Sequence, residues 1–221
     1  MKKITYLLIG LIPLVLFITF TVMVRCVDAH YIEDVGYLGF YTLNMNVNEF
    51  VRQQDNHLFD VLTDILLFLS LATVLPFAII GIHQLVKRKS LAKVDPLIYF
   101  MLGAYILSVV HYVTFILTSI NASPLSTPDE IKQSYPSTHV FIFITYLFVA
   151  LTGLFRYIKM SKVAKISAIC VVSILSIIMV IFRLYSGQHY LTDIIGGVLL
   201  AAFNITLPYM LYRLIIKEEQ K

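Results

Sequence analysis

Charge is what this sequence has least of: Asp, Glu, Lys and Arg make up 14% of its 221 residues, against 59% hydrophobic residues. With a mean hydropathy of +0.84, it is too apolar for a water-soluble domain of this size. Cysteine is nearly absent as well. Cys26 and Cys170 fall at the end of one apolar run and inside another, at heights in a membrane that argue against a mutual disulfide. Internal repeats and low-complexity stretches are missing, and so is any signature of RNA or DNA binding. The basic balance, with a pI near 9.0, therefore speaks of membrane orientation and anionic lipid heads rather than nucleic acid.

What the sequence does have is apolar runs of membrane-spanning length. A helix crosses the hydrocarbon with about 20 apolar residues, and six such runs occur, at about 4–24, 58–86, 96–120, 138–155, 166–182 and 191–214. The first is too long for a signal peptide and exits into Val24-Arg25-Cys26 without small residues, so it reads as a span. The expected fold is all-α: a polytopic membrane protein with six transmembrane helices in one bundle, residues 1–221 forming a single domain.

Positive charge in short loops marks the cytoplasmic side. With the N-terminus inside, that side holds Lys2, Lys3, Lys87, Arg88, Lys89, Lys93, Arg156, Lys159, Lys162, Lys165, Arg213, Lys217 and Lys221, which is 13 of the 17 Lys and Arg residues. Both termini are accordingly expected in the cytoplasm, in a multi-pass protein of the cell membrane. Arg25, Arg52, Lys132 and Arg183 then fall outside.

Two outer segments exceed what a connection needs. In residues 25–57, Leu43, Val47, Phe50 and Val51 recur at helical spacing among Asn46, Asn48, Glu49, Arg52, Gln53 and Gln54. This predicts a short interfacial helix that plugs the outer end of the bundle, with a substrate lid as the alternative. Residues 121–136 hold Pro124, Pro128 and Pro136 and read as turn and extended chain. They deliver Tyr135-Pro136-Ser137-Thr138-His139 to the fourth span. Proline is favoured at a first helical position, and the free N–H groups of that turn, with the helix dipole, suit an anion.

The fifth span closes at Phe182-Arg183, the chain turns at Ser186-Gly187, and the sixth opens through His189 and Asp193. Those two are four residues apart, so on a helix an imidazole nitrogen can reach the carboxylate. The planar fork of Arg183 suits phosphate oxygens. The topology brings His139, Arg183, His189 and Asp193 to one level at the outer mouth, and ionisable groups in such a place normally mark function. The plainer alternative is that Asp193 caps the sixth helix while both histidines anchor at the headgroups. His57, Asp60 and Asp64 share one face at the start of the second span; stabilising that helix N-terminus is preferred over a cation site. An interhelical hydrogen bond is the default role for His111.

Pro136-Ser137-Thr138-His139 and Phe182-Arg183-(five residues)-His189-(three residues)-Asp193 resemble the second and third motifs of the type 2 phosphatidic acid phosphatase superfamily, Pro-Ser-Gly-His and Ser-Arg-(five)-His-(three)-Asp. Tyr185-Ser186-Gly187 and Asp193-Ile194-Ile195-Gly196-Gly197 are also similar to its bacterial membrane members. The resemblance implies a membrane lipid phosphatase acting on a phosphorylated lipid, a polyprenyl pyrophosphate or a phosphatidyl phosphate, at the outer face. His189 is the implied nucleophile, oriented by Asp193, with His139 protonating the leaving oxygen and water hydrolysing a phosphohistidine. Arg183, Ser137 and the first-turn amides, with Thr138 among them, are implied to bind the phosphate. No metal and no cofactor are called for.

Thr138 and Phe182 replace the superfamily's Gly and Ser. A larger departure concerns its first motif, Lys-(six)-Arg-Pro, where this sequence has Ile116, Ser123 and Pro124. Lys132, Arg52 and Arg25 could substitute for the two cations, but each is more simply a solvated loop charge. Two other readings therefore stand beside hydrolysis: a lipid phosphotransferase using the same site, and a non-catalytic phospholipid-binding membrane protein.

Overall fold

The computed structural model describes residues 2–33, 35–52 and 57–219. Gln53 and Gln54, assigned above to the surface helix, and Lys221, counted with the cytoplasmic charges, lie outside the described residues. So do the side chains of Lys2, Lys3, Arg52 and Lys217.

The described residues hold eight α-helices and one small hairpin. They are α1 (Lys2–Cys26), β1 (His30–Ile32), β2 (Gly36–Leu38), α2 (Tyr41–Arg52), α3 (His57–Ala72), α4 (Val74–Arg88), α5 (Pro96–Ile116), α6 (Thr138–Tyr157), α7 (Lys162–Tyr185) and α8 (Leu191–Glu219). Among the described residues, six stretches are long and apolar enough to cross a membrane, α3 and α4 together making one of them. Side chains such as Phe68, Ile79 and Val163 point away from the protein. In water that would be a liability, and in a bilayer it is the lipid-facing surface.

The centre of the bundle is α8, which packs on α1, α5 and α6. Half of its apolar window is buried and 44% of that of α6, against 11% for α7 and for α3–α4. Phe141, Phe143, Ile194, Leu200 and Phe203 fill the main core. His111 of α5 makes the interhelical bond expected of it, its Nδ1 2.7 Å from Oδ1 of Asn204 on α8.

Three boundaries differ from the sequence reading. The second span, read as continuous over 58–86, breaks at Thr73, whose N–H and hydroxyl both turn back to the Ser70 carbonyl at 3.1 and 2.6 Å. Pro76 lacks the N–H that would bond the residue 72 carbonyl, so the ladder cannot run straight through. The third span stops at Ile116 rather than 120. Apolar residues continue beyond it, but Ala122 N–H leaves for the Tyr37 carbonyl at 2.7 Å and so ties the segment to β2. Pro136 precedes the N-cap Ser137 instead of occupying the first helical position of α6.

The surface helix is present as α2, with a different face inward. Asn44, Asn48 and Val51 are buried, whereas Leu43 and Phe50 are exposed. The reason is hydrogen bonding: Asn44 donates to the Gly39 carbonyl at 2.7 Å and to Oγ1 of Thr192 at 2.8 Å, and accepts from Thr192 N–H at 3.3 Å. These bonds pin α2 to the start of α8. The β1–β2 hairpin before it, paired antiparallel with Tyr31 opposite Tyr37, has no counterpart in the sequence reading.

Candidate active site

Two local devices bring α6, α7 and α8 together at one end. Gly187, with φ of 68°, takes the left-handed conformation that ends α7, while Ser186 Oγ donates to the Arg183 carbonyl at 2.8 Å. The chain thereby reverses within a few residues and returns as α8. On α8, Gly196 and Gly197 allow close approach to the segment before α6: a Cβ at Gly196 would meet the Tyr135 ring, and one at Gly197 would lie 2.8 Å from the Ser137 carbonyl oxygen. That approach lets Ser137 N–H donate to the Asp193 carbonyl at 2.9 Å.

The result is a cavity of about 420 Å³ lined by Thr138, His139, Arg183 and His189 on its polar side and by Leu67, Tyr112 and Ile142 on its apolar side. Of the four groups expected at one membrane level, His139, Arg183 and His189 share this cavity, and Asp193 lies behind His189 without lining it. Ser137 sits at the N-cap of α6, fully buried, and its hydroxyl makes no capping bond. The first-turn amides of α6 are therefore not occupied by that side chain.

Asp193 is completely buried and held by three donors: Asn121 Nδ2 at 2.7 Å to Oδ1, and Ser134 Oγ at 2.6 Å and Tyr190 N–H at 2.9 Å to Oδ2. The Tyr190 bond is a helix-capping contact, a third-position acid reaching back to the N-cap amide. The plainer alternative thus holds for that bond. His189 Nδ1 stands 3.8 Å from Asp193 Oδ2, longer than the hydrogen bond expected from the spacing, because that oxygen is already taken by Ser134 and Tyr190. Burial, the largest effect, pushes the His189 imidazole below its ordinary range, partly opposed by Asp193. It is therefore neutral at pH 7.

Asp60 and Asp64 require a correction. Rather than serving only the N-terminus of α3, they reach across to the cavity residues. Asp60 Oδ1 accepts from Arg183 Nη1 at 2.8 Å, and Thr63 Oγ1 accepts from the same nitrogen at 3.2 Å. Asp64 Oδ1 lies 2.8 Å from His139 Nε2. Asn121, Ser134, Asp60, Thr63 and Asp64 are the site neighbours that sequence reasoning did not assign. The signal available was the spacing of 60, 63 and 64 on one helical face.

Two of the substitute cations, Lys132 and Arg25, are engaged elsewhere. Lys132 pairs with Glu130 at 3.2 Å, both well exposed, and the Arg25 guanidinium lies 4.0 Å over the Tyr37 ring. Ile116 is exposed on the bundle surface and Ser123 is buried with its hydroxyl accepting from Leu125 N–H. Among the described side chains, Arg183 is the one permanent cation that lines the cavity.

Six spans, with a His–Arg–His cavity at one end and a buried carboxylate behind it, define a polytopic α-helical membrane protein with an ionisable site at the helix ends. The family follows from the sequence match: residues 67–216 fit the PAP2 superfamily, and the chain belongs to it. Among solved structures, it is similar to the transmembrane PAP2-type phosphatidylglycerolphosphate phosphatase of Bacillus subtilis, with 14% identity, coverage of 96% of this chain and 97% of that one, and a TM-score of 0.62. It is also similar to Aquifex aeolicus LpxE, with 19% identity, coverage of 81% and 99%, and a TM-score of 0.45. At such identities the first likeness supports the fold. No curated protein matches the sequence.

Proposed function

We propose that this protein is a lipid phosphatase of the cell membrane, cleaving a phosphate from a membrane lipid at the outer face. The observation that carries the reading is where the unpartnered polar atoms lie. Among the described residues, six buried side-chain polar atoms have no hydrogen-bond partner, and three of them are Ser137 Oγ, Arg183 Nε and His189 Nδ1. Orphaned buried donors are costly. A tetrahedral oxyanion in the adjoining cavity is a natural partner for Ser137 and Arg183, and a small closure brings His189 onto Asp193.

In the reaction, neutral His189 attacks phosphorus through Nε2 while the Nδ1 side faces Asp193, which stabilises the charge that develops on the ring. The bond from phosphorus to the leaving oxygen breaks, and His139 gives that oxygen a proton. Water then attacks the phosphohistidine, His139 takes the water's proton, and inorganic phosphate leaves. Arg183 and the α6 amides hold the equatorial oxygens, where charge grows. Membership in the superfamily and the apolar wall of Leu67, Tyr112 and Ile142 support a lipid substrate. The Lys and Arg residues at the opposite helix ends support the orientation, with both termini cytoplasmic.

The test is phosphate release from lipid phosphates by purified protein, with brief exposure to labelled substrate to trap phosphorylated His189. Release abolished in His189→Ala is the expected result. A variant that keeps the wild-type rate removes the nucleophile. Transfer of phosphate to an alcohol without free phosphate identifies a phosphotransferase, and binding without a phosphohistidine identifies the non-catalytic alternative.

A further inference from the structure

We infer that the site selects lipid phosphomonoesters against lipid pyrophosphates, with Asp64 as the discriminating residue. The inference rests on reading the cavity as phosphate-binding, and it comes from the balance of charge around it. On the positive side stands Arg183, 6% exposed, its Nε unpartnered and available to a ligand. Its charge is already matched by Asp60 at 2.8 Å. His139 is matched by Asp64 at 2.8 Å, and His189 faces Asp193. One guanidinium and two imidazoles, of which that of His189 is neutral, thus confront three carboxylates. A monoester brings one or two negative charges to this setting, and a pyrophosphate brings a further one with no described cation left to receive it.

The placement of Asp64 makes the discrimination directional. In an in-line displacement at His189, the leaving group departs on the side of His139. For a monoester that group is an alcohol oxygen, neutral once protonated, and His139, held at 2.8 Å by Asp64, is placed to supply the proton. For a pyrophosphate it is the lipid-linked phosphate, an anion that departs without a proton and would be set beside the His139–Asp64 pair. The same carboxylate therefore assists one leaving group and repels the other. With 63% of its side chain exposed, Asp64 can be altered without emptying the core.

The experiment compares binding of a long-chain alkyl phosphonate and the alkyl methylenebisphosphonate of the same chain to detergent-solubilised protein. Neither is hydrolysed, so the intrinsic reactivity of pyrophosphates does not intrude. Wild type is expected to bind the phosphonate at least about tenfold more tightly. Asp64→Asn should narrow that ratio to within about threefold and Asp64→Glu should preserve it. Equal or tighter binding of the bisphosphonate by wild type, or a ratio unchanged in Asp64→Asn, overturns the inference while leaving hydrolysis intact. Selective phosphonate binding without turnover of any monoester sustains the inference and removes the hydrolase reading. If neither compound binds, the inference falls, and phosphate release from lipid monoesters decides the hydrolase reading on its own.

Discussion

Asn121 offers the sharpest test of how the site is built. Its side chain spans three buried partners, donating to Asp193 Oδ1 at 2.7 Å and, at a longer 3.4 Å, to Thr192 Oγ1, and accepting from Gly39 N–H at 2.9 Å. Asn121→Ala removes all three bonds, of which those to Asp193 and Gly39 are the short ones, while the backbone carbonyl that accepts from Ser134 N–H at 3.1 Å is unchanged. A bond to a charged group is worth about 1.5–3 kcal/mol, and an orphaned buried N–H costs about 1–3 kcal/mol. Because the two share one side chain they will not add fully, and about 3 kcal/mol is expected. Denaturation of the protein in mixed micelles, followed by helix content, measures the loss. A double-mutant cycle with Ser134→Ala should show coupling of at least about 0.5 kcal/mol, since both donors hold the same carboxylate. A loss below about 0.5 kcal/mol for Asn121→Ala would refute the view that this loop anchors Asp193.

Arg183→Lys is expected to lower phosphate release about a hundredfold, since an ammonium cannot hold Asp60 with one edge and present a second edge to phosphate; steady-state kinetics decide it. Burial keeps His189 below its ordinary value, so between about pH 6.5 and that lower value the unfolded chain binds a proton the folded chain refuses. Stability therefore falls as pH drops through this window and is recovered above it. Melting curves across pH should show the slope, and His189→Gln should make it shallower. Asn44→Ala should release α2 from α8, costing about 1–3 kcal/mol and opening residues 41–52 to limited proteolysis. Gly197→Ala, which sets a methyl 2.8 Å from the Ser137 carbonyl oxygen, should lower both stability, by about 1–3 kcal/mol, and phosphate release, read by melting curves and steady-state rates.

The spans were legible because a bilayer imposes one rule, about 20 apolar residues without charge, and α1, α6 and α8 obey it closely. The convergence of His139, Arg183 and His189 was legible too, since alternating helix direction fixes which ends meet. Hydropathy failed where polar groups, not apolar length, decide the backbone. At Thr73 a hydroxyl and an amide turn back to Ser70, and after Ile116 the chain is pulled toward Tyr37. On α2 the periodicity was visible but not the inward face, because Asn44 is buried for its bonds to Gly39 and Thr192 rather than for apolar area. Contacts from α3 to α6 and α7 join residues 75 and 123 positions apart, and spacing within one helix carries no information about its neighbours.

That last gap explains why Asp60 and Asp64 were read as helix-end charges. An acid in the first turn is stabilised locally by about 0.3–1 kcal/mol, which is reason enough for its presence when the sequence is viewed alone. Opposite a guanidinium with an exposure of 6%, the same carboxylate has a larger effect: removing it leaves a buried charge unpaired, at about 3–5 kcal/mol. The two settings therefore predict different outcomes for one substitution. Asp60→Asn should be nearly silent if the residue only serves the N-terminus of α3. If it holds Arg183, the variant loses several kcal/mol of stability, and Arg183→Met introduced alongside restores much of it. The rescue separates the two, because a helix-end charge has no reason to depend on a residue 123 positions away.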